Sequence, residues 1–551
     1  MFVSPKTPRR AVLLVVLSGC SAEDALLSSD APPRSRIEPP VVVRSSIREG
    51  FDSDASVESS SVALIDTNRG IVTLPFRDLP PLVDGPDVVL DGTLEAHGIL
   101  KGSNVRVPPG ASVVAPDSLE IRASSSISIE GRILVGAGGL TLVAGDRVAI
   151  LGAVESAGPI RIWLARREGE VRVSGRVATL TRQEDASDSV SVFARGSVGI
   201  DGQLASGAST SGSSGDVTIY AYGDVSVRGP RALVVSGDAT GLAGVIRIAS
   251  EGRVEILDGA ALLGGSTDAR EGDGAQISLR AVKVSIGEAI VKAGSARRAT
   301  GGSLELVAST LATLGGLMSG SGSIGGALVI SVRTASIGGE AIAGGGQKGG
   351  GDVDLATAGE LRLDGHVAGG SSECGSGGSV RVRVAGRLLV GQGSLAGGSS
   401  MPTLGRSCVD GAGSGGTVSV LAQVVEGEEF GTGGAGSPPG RVHVQQDPAF
   451  TADPPEIHAR TLGWVVSRVF ERPRIGVTPR LVSLLASTPP GTLVKIQLAE
   501  ADELVWYDAS TTEPELLDPL AQSRRFRYRV WLKGLPLDAP TVDDFEIDLT
   551  P

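Results

Sequence analysis

Glycine supplies 79 of the 551 residues, aromatic residues only 3%, and the formal net charge is -12. A hydrophobic share of 41% argues against wholesale disorder, and glycine without a strict three-residue period excludes collagen. The acidic balance provides no electrostatic footprint for nucleic acid.

Lys6, Arg9 and Arg10 precede an apolar run from Ala11 to Leu17. A membrane-spanning helix needs about 20 apolar residues, so this run reads as the core of a secretory leader. It ends in Leu17-Ser18-Gly19-Cys20, which resembles the lipobox of bacterial lipoproteins. The resemblance implies a signal peptide over residues 1–19, a diacylglycerol-modified Cys20 thiol and an acylated new amino end. Several acyl chains anchor stably where one does not, at about 0.8 kcal/mol per buried methylene. Membrane contact is therefore expected through the lipid at Cys20. Ser21, where inner-membrane lipoproteins of this type have aspartate, points to the outer membrane, on its periplasmic side or at the cell surface.

Residues 20–45, rich in Ser, Asp, Glu and Pro, read as a disordered tether. Residues 46–89 contain Ser61–Ile65 and Ile71–Leu74, a hairpin pattern across Thr67-Asn68-Arg69-Gly70. This hairpin either completes a later sheet or caps the repeat that follows.

From Leu90 an apolar residue, a turn residue and glycine recur, clearest in Leu90-Asp91-Gly92, Ile129-Glu130-Gly131, Ile200-Asp201-Gly202, Leu257-Asp258-Gly259 and Leu363-Asp364-Gly365. Twelve copies up to Gly391 at a mean spacing of about 27 residues mark a stacked repeat. Each repeat carries alternating strands such as Leu119-Glu120-Ile121 or Val380-Arg381-Val382, with one buried face. A single coil cannot bury that face; coils stacked about 4.8 Å apart can. The glycines are expected at bends that need positive φ. Residues 90–446 therefore read as a parallel β-helix of about 12 coils. The repeat resembles the glycine-rich right-handed parallel β-helices of the pectate-lyase-like superfamily and of bacterial surface proteins.

Near Asp447 glycine becomes scarce and aromatics concentrate, including Trp464, Trp506 and Trp531. Alternating runs at 462–470, 492–498, 504–507, 526–532 and 542–549 predict a small antiparallel β-sandwich over 447–551. Its closing strands, Phe526–Leu532 and Val542–Ile547, resemble those of galactose-binding-like modules. The fold class expected for the whole chain is all-β.

No residue pattern nominates a catalytic, cofactor-binding or metal site, and no cofactor is expected. The histidines His97, His366, His443 and His458 are dispersed, without metal-ligand spacing. Stacking should bring the outward residues Glu120, Thr141, Arg161, Ser191, Thr218 and onward to Asp354, Arg381, Ser419 and His443 into one column. Its alternating signs suit a solvated face, whereas a lyase needs clustered carboxylates beside an Arg or Lys base. Cys374 and Cys408 precede strands that should pair in successive coils, and a disulfide between them is expected. The expected function is a non-enzymatic, membrane-anchored envelope scaffold, structural, adhesive or ligand-presenting, whose partners beyond the membrane are envelope polysaccharide or protein. The alternatives are a polysaccharide lyase or hydrolase using the helix groove, and a carbohydrate-binding module on a passive stalk. Trp506-Tyr507 is the candidate sugar platform of the last domain.

Overall fold

The computed structural model describes residues 84–181, 187–210, 212–268, 272–400, 413–427 and 430–451 with Leu82, strands between 41 and 73, and most of 461–548. Cys20, the leader, the tether before Val41, Cys408, His458 and Trp506 lie outside the described residues. The chain forms two compact units, Pro80–Ala459 and the combination of Met1–Leu79 with Arg460–Pro551.

The larger unit is a parallel β-solenoid. A wholly parallel 20-stranded sheet covers two of its sides and a parallel 14-stranded sheet the third. Strand Ser118–Ile129 shows how one sheet serves two sides. It bends between Ala123 and Ser126, so its first half pairs with Gly139–Ala144 and its second with Arg147–Ile150. Alternation dictates which residues point inward: Leu119, Ile121, Ile127 and Ile129 are at most 1% exposed, while Glu120 and Ser128 are half-buried. The core is a column of Val, Ile, Leu and Ala; among the described residues its single aromatic is Phe430, in the last coil. A coil this narrow has no room for rings, which accounts for the low aromatic share of the repeat.

The third side has 14 rungs rather than about 12. One extra coil hides between Gly92 and Gly131, where the turn Pro108-Pro109-Gly110 leading into Ser112–Ala115 replaces the repeated phrase. The other ends at Gly431–Thr432, beyond the last copy of the phrase. Fourteen rungs make a solenoid about 60 Å long.

The structure also corrects the role of the glycines. Positive φ occurs at Gly92 (72°), Gly229 (96°) and Gly259 (83°), but at no other glycine of the phrase. Most of the others are needed because backbones touch. A Cβ on Gly152 would lie 1.9 Å from the Gly131 carbonyl oxygen, one on Gly175 1.9 Å from that of Gly152, and one on Gly202 2.1 Å from that of Gly175.

A second pair of glycine columns closes the necks of the later loops that leave the third side. The Gly302 N–H donates to the Gly294 carbonyl at 2.7 Å, Gly320 to Gly302 at 2.7 Å, and Gly326 to Gly320 at 2.8 Å. The zigzag continues through Gly344, Gly351, Gly370, Gly378, Gly398, Gly416 and Gly434 to Gly440, which donates to Gly434 at 2.8 Å. At these necks two opposed walls of a coil thereby lie against each other with no side chain between them. Neck hydroxyls reinforce the closure: Ser236 Oγ donates to the Gly244 carbonyl at 2.5 Å and accepts from the Gly265 N–H at 2.9 Å.

In the smaller unit a seven-stranded and a five-stranded sheet, antiparallel apart from one short pair, enclose one core. Val465, Ile496, Phe526, Tyr528 and Val530 come from the first sheet, and Val542, Phe545 and Ile547 from the second. The hairpin Leu64–Asp66 and Ile71–Thr73 joins this unit: Val72 pairs with Val542. Ser46–Glu49 pairs antiparallel with Thr541–Asp548, and Val57–Ser61 with Thr461–Ser467. Strand Arg480–Ser487 has no counterpart in the sequence reading. Its burial does not alternate, and Val482 and Leu485 are largely exposed, so no period-two signal existed to find.

The zipper predicts unequal costs for one chemical change. Gly344→Ala places a methyl 1.8 Å from the Gly320 carbonyl oxygen, whereas a Cβ on Gly338 meets nothing within 4 Å. Gly344→Ala should lower unfolding free energy by more than about 2 kcal/mol and Gly338→Ala by less than about 0.5 kcal/mol, read from urea midpoints.

Candidate functional site

The outward face of the solenoid is where a groove enzyme would place its machinery. Strand register assembles the expected column, running from Glu120 through Thr141, Arg161, Ser191, Thr218 and Arg247 to Asp354, Arg381, Ser419 and His443. Its acids are matched with arginines. Arg122 meets Glu120 at 2.6 Å, Arg280 meets Glu305 at 3.0 Å and Arg383 meets Asp354 at 2.9 Å. The second side repeats the arrangement, with Arg106–Glu130 at 2.9 Å, Arg172–Asp201 at 3.0 Å and an Arg228–Glu255 pair. Burial works against the Asp201 carboxylate, but Ser174 and Arg172 hold it below its ordinary pKa.

One enclosed pair is Arg247–Asp216, with side chains 24% and 15% exposed. Asp216 accepts from Arg247 Nη1 at 2.9 Å and from the Val245 N–H at 2.8 Å. Burial opposes the guanidinium charge, and Asp216 more than offsets it, so the Arg247 pKa is raised. This is a pair between consecutive coils, and it occupies both groups.

Beside this column Trp163, Phe193 and Tyr220 are stacked in register, with ring centroids 4.8 and 5.8 Å apart. Trp163 and Phe193 are only 4% and 1% exposed, so they form part of the packed structure rather than an open sugar platform. Among the described residues no group of three or more His, Cys, Asp or Glu could hold a metal ion. His97 lies 3.2 Å from Glu95, His366 Nδ1 lies 2.8 Å from Ser394 Oγ, and His443 is exposed in the last coil. Ser376 accepts from Ser414 Oγ at 3.0 Å in the next coil, a contact between loops.

Cys374 is exposed. The chain on either side of the 401–412 excursion sits against the loop of Cys374. Ser400 bridges Ser372, Ser414 carbonyl accepts from the Gly377 N–H at 2.9 Å, and Gly413 abuts Gly375.

The smaller unit contributes a face that the sequence reading missed. In strand Arg525–Gly534, Phe526, Tyr528, Val530 and Leu532 enter the core, which leaves Arg525, Arg527, Arg529 and Trp531 on the opposite face. Arg529 is 8% exposed; its Nε and Nη2 donate to Gln497 Oε1 at 2.9 and 2.7 Å, and burial lowers its pKa to about 10. Lys495, the register partner of Trp531, meets Asp508 at 3.3 Å. Tyr507 of the candidate platform instead packs partly buried against the core. The signal for this face was present: the same period-two alternation that marks the strand assigns its cations and Trp531 to one side.

Removing one member of the enclosed pair tests whether the column is structural. Asp216→Ala should cost about 3 kcal/mol, and adding Arg247→Met should restore most of it, measured as unfolding free energies in a double-mutant cycle. No family model, curated protein or solved structure matches the chain.

Proposed function

We propose that the chain is a lipid-anchored, non-enzymatic scaffold of the bacterial cell envelope, held to the outer membrane through Cys20, with the solenoid presenting its loops and the sandwich to envelope components. The observation that carries this reading is the matching of acids with arginines on neighbouring coils along the outward faces. A groove enzyme would instead keep carboxylates convergent and available to a cation or a substrate. The lipobox-like Leu17-Ser18-Gly19-Cys20 supports the address.

The same proposal includes a disulfide from Cys374 to Cys408. The excursion departs at Ser400 beside Ser372 and returns at Gly413 beside Gly375, which puts Cys374 between the two anchoring points. Closing the loop between the cysteines contributes roughly 3 to 4 kcal/mol in the chain-entropy account. Such a bond suits an oxidising compartment outside the cytoplasm.

Cys20→Ala should move the protein from the detergent-extracted membrane fraction to the soluble one. Unchanged membrane retention, with no acyl label on the wild type, defeats the anchor. Mass spectrometry of a non-reduced digest should recover one cross-linked peptide pair containing Cys374 and Cys408; two separately alkylated peptides defeat the bridge.

A further inference from the structure

A stack of coils must end somewhere, and an end without a cap exposes both a sheet edge and the apolar column behind it. Both ends of this solenoid are open in that sense. Val442 and Val444 stand in the inward columns of Val418 and Val420, which are at most 1% exposed, yet they are 40% and 47% exposed. Leu94 shares the column of the fully buried Val113 and is 37% exposed. Strand Val442–Gln446 pairs with Val418–Glu426 along one edge, and all five of its residues are exposed. The described segments that enter and leave the stack run along its flank. Leu82 reaches Gly145, two coils in, where a Cβ would meet its Cδ1 at 3.5 Å. The Phe450 carbonyl accepts from Gln423 Nε2 at 2.7 Å, which draws the departing chain back to the preceding coil.

The two ends also match each other. Laying the last coil of one chain on the first coil of another, in the register of the internal steps, sets Val442 on Gly98 and Val444 on Leu100. The same step sets Val425 on Val88 and Gly431 on Leu94. At Val442 and Leu94, bulk on one end meets glycine on the other. Charge agrees with shape. Residues 84–95 carry four exposed carboxylates, Asp84, Asp87, Asp91 and Glu95, and no cation. Residues 440–446 carry Arg441 and His443 and no carboxylate. Arg441 precedes Val442 as His97 precedes Gly98, so stacking brings its guanidinium beside His97 and the Glu95 carboxylate 3.2 Å from it.

We propose that the partner of these ends is a second copy of this chain, stacked head to tail, so that one β-helix continues through successive molecules. Strand Val442–Gln446 of one copy adds to Gly98–Val107 of the next by the parallel pairing that joins coils within the chain. Val442, Val444 and Leu94 then complete the columns that they already terminate. The contact joins two different surfaces and advances along the solenoid axis, so it does not close into a ring and gives open-ended stacks. The proposal gives the scaffold a partner but rests on the solenoid ends alone. Assembly is scored on purified protein, so it can succeed or fail whatever fractionation of Cys20→Ala shows.

The experiment is oxidative cross-linking of the full chain carrying Val444→Cys mixed with the full chain carrying Leu100→Cys. Stacked residues lie about 4.8 Å apart, within the Cα separation of a disulfide, whereas the two positions are about 60 Å apart in one molecule. The mixture should give a covalent heterodimer on a non-reducing gel, and neither variant alone should dimerise beyond the wild type. The double variant should give a ladder of multimers. Leu94→Asp, added to the Leu100→Cys chain, places a charge in the joint and should cut heterodimer yield at least about tenfold. Arg441 is exposed and outside the core, so Arg441→Glu in the Val444→Cys chain tests the charge contact without disturbing packing, and it should also lower the yield. No heterodimer in the mixture, dimers from either variant alone, or a yield indifferent to both Leu94→Asp and Arg441→Glu would each overturn the proposal.

Discussion

Direct contact between backbones of successive coils is the constraint on which the solenoid depends. Where the glycine columns run, carbonyl oxygens occupy the space that a Cβ would need, at 1.7 Å for Gly320 against Gly294 and 1.8 Å for Gly370 against Gly344. Relief of one contact by backbone movement would pull apart hydrogen bonds at 2.7 to 3.1 Å in the same zigzag. Glycine carries the largest backbone entropy cost of any residue, so its abundance here reflects a steric requirement that outweighs an intrinsic penalty.

The remaining stabilisation divides unequally between interior and surface. Fully burying a Val, Ile or Leu side chain contributes about 1.5–3 kcal/mol, and each coil buries several. Exposed ion pairs contribute about 0–1 kcal/mol apiece. The arginine–carboxylate lattice is therefore a minor source of stability. Its larger effect is to cancel like-charge repulsion between outward residues stacked only about 4.8 Å apart. Without such matching, a column of acids in a chain of this net charge would oppose its own stacking.

Much of the solenoid was legible because one physical period governs it. The alternation in Leu119-Glu120-Ile121 and its later counterparts was enough to place the outward column residue by residue, since parallel stacking without offset preserves position within the coil. The coil carrying Pro108-Pro109-Gly110 was hidden because a proline turn does the work of the repeated phrase. The role of the glycines was misread because steric contact between coils leaves the same letter in the sequence as positive φ. In the smaller unit the hydrophobic strands were visible, but the face bearing Arg529 and Trp531 was not. The direction of Trp531 is set by its neighbours Val530 and Leu532, which enter the core. The pairing of residues near 46–73 with those near 541–548 spans most of the chain, and no local pattern encodes so distant a contact.

The glycine necks also separate the history of the loops from that of the core. Between neck glycines the tips vary from the short turn of Gly320–Gly326 to the long excursion of Gly398–Gly416, yet the same hydrogen bond closes both, at 2.8 Å. An insertion beyond the neck therefore leaves the stacked walls unaltered, whereas one within a wall shifts every later residue out of its column. Tips are free to diversify in length and sequence, and the solenoid itself can change length only by gain or loss of entire coils. Variation in such a chain is channelled into the loop tips.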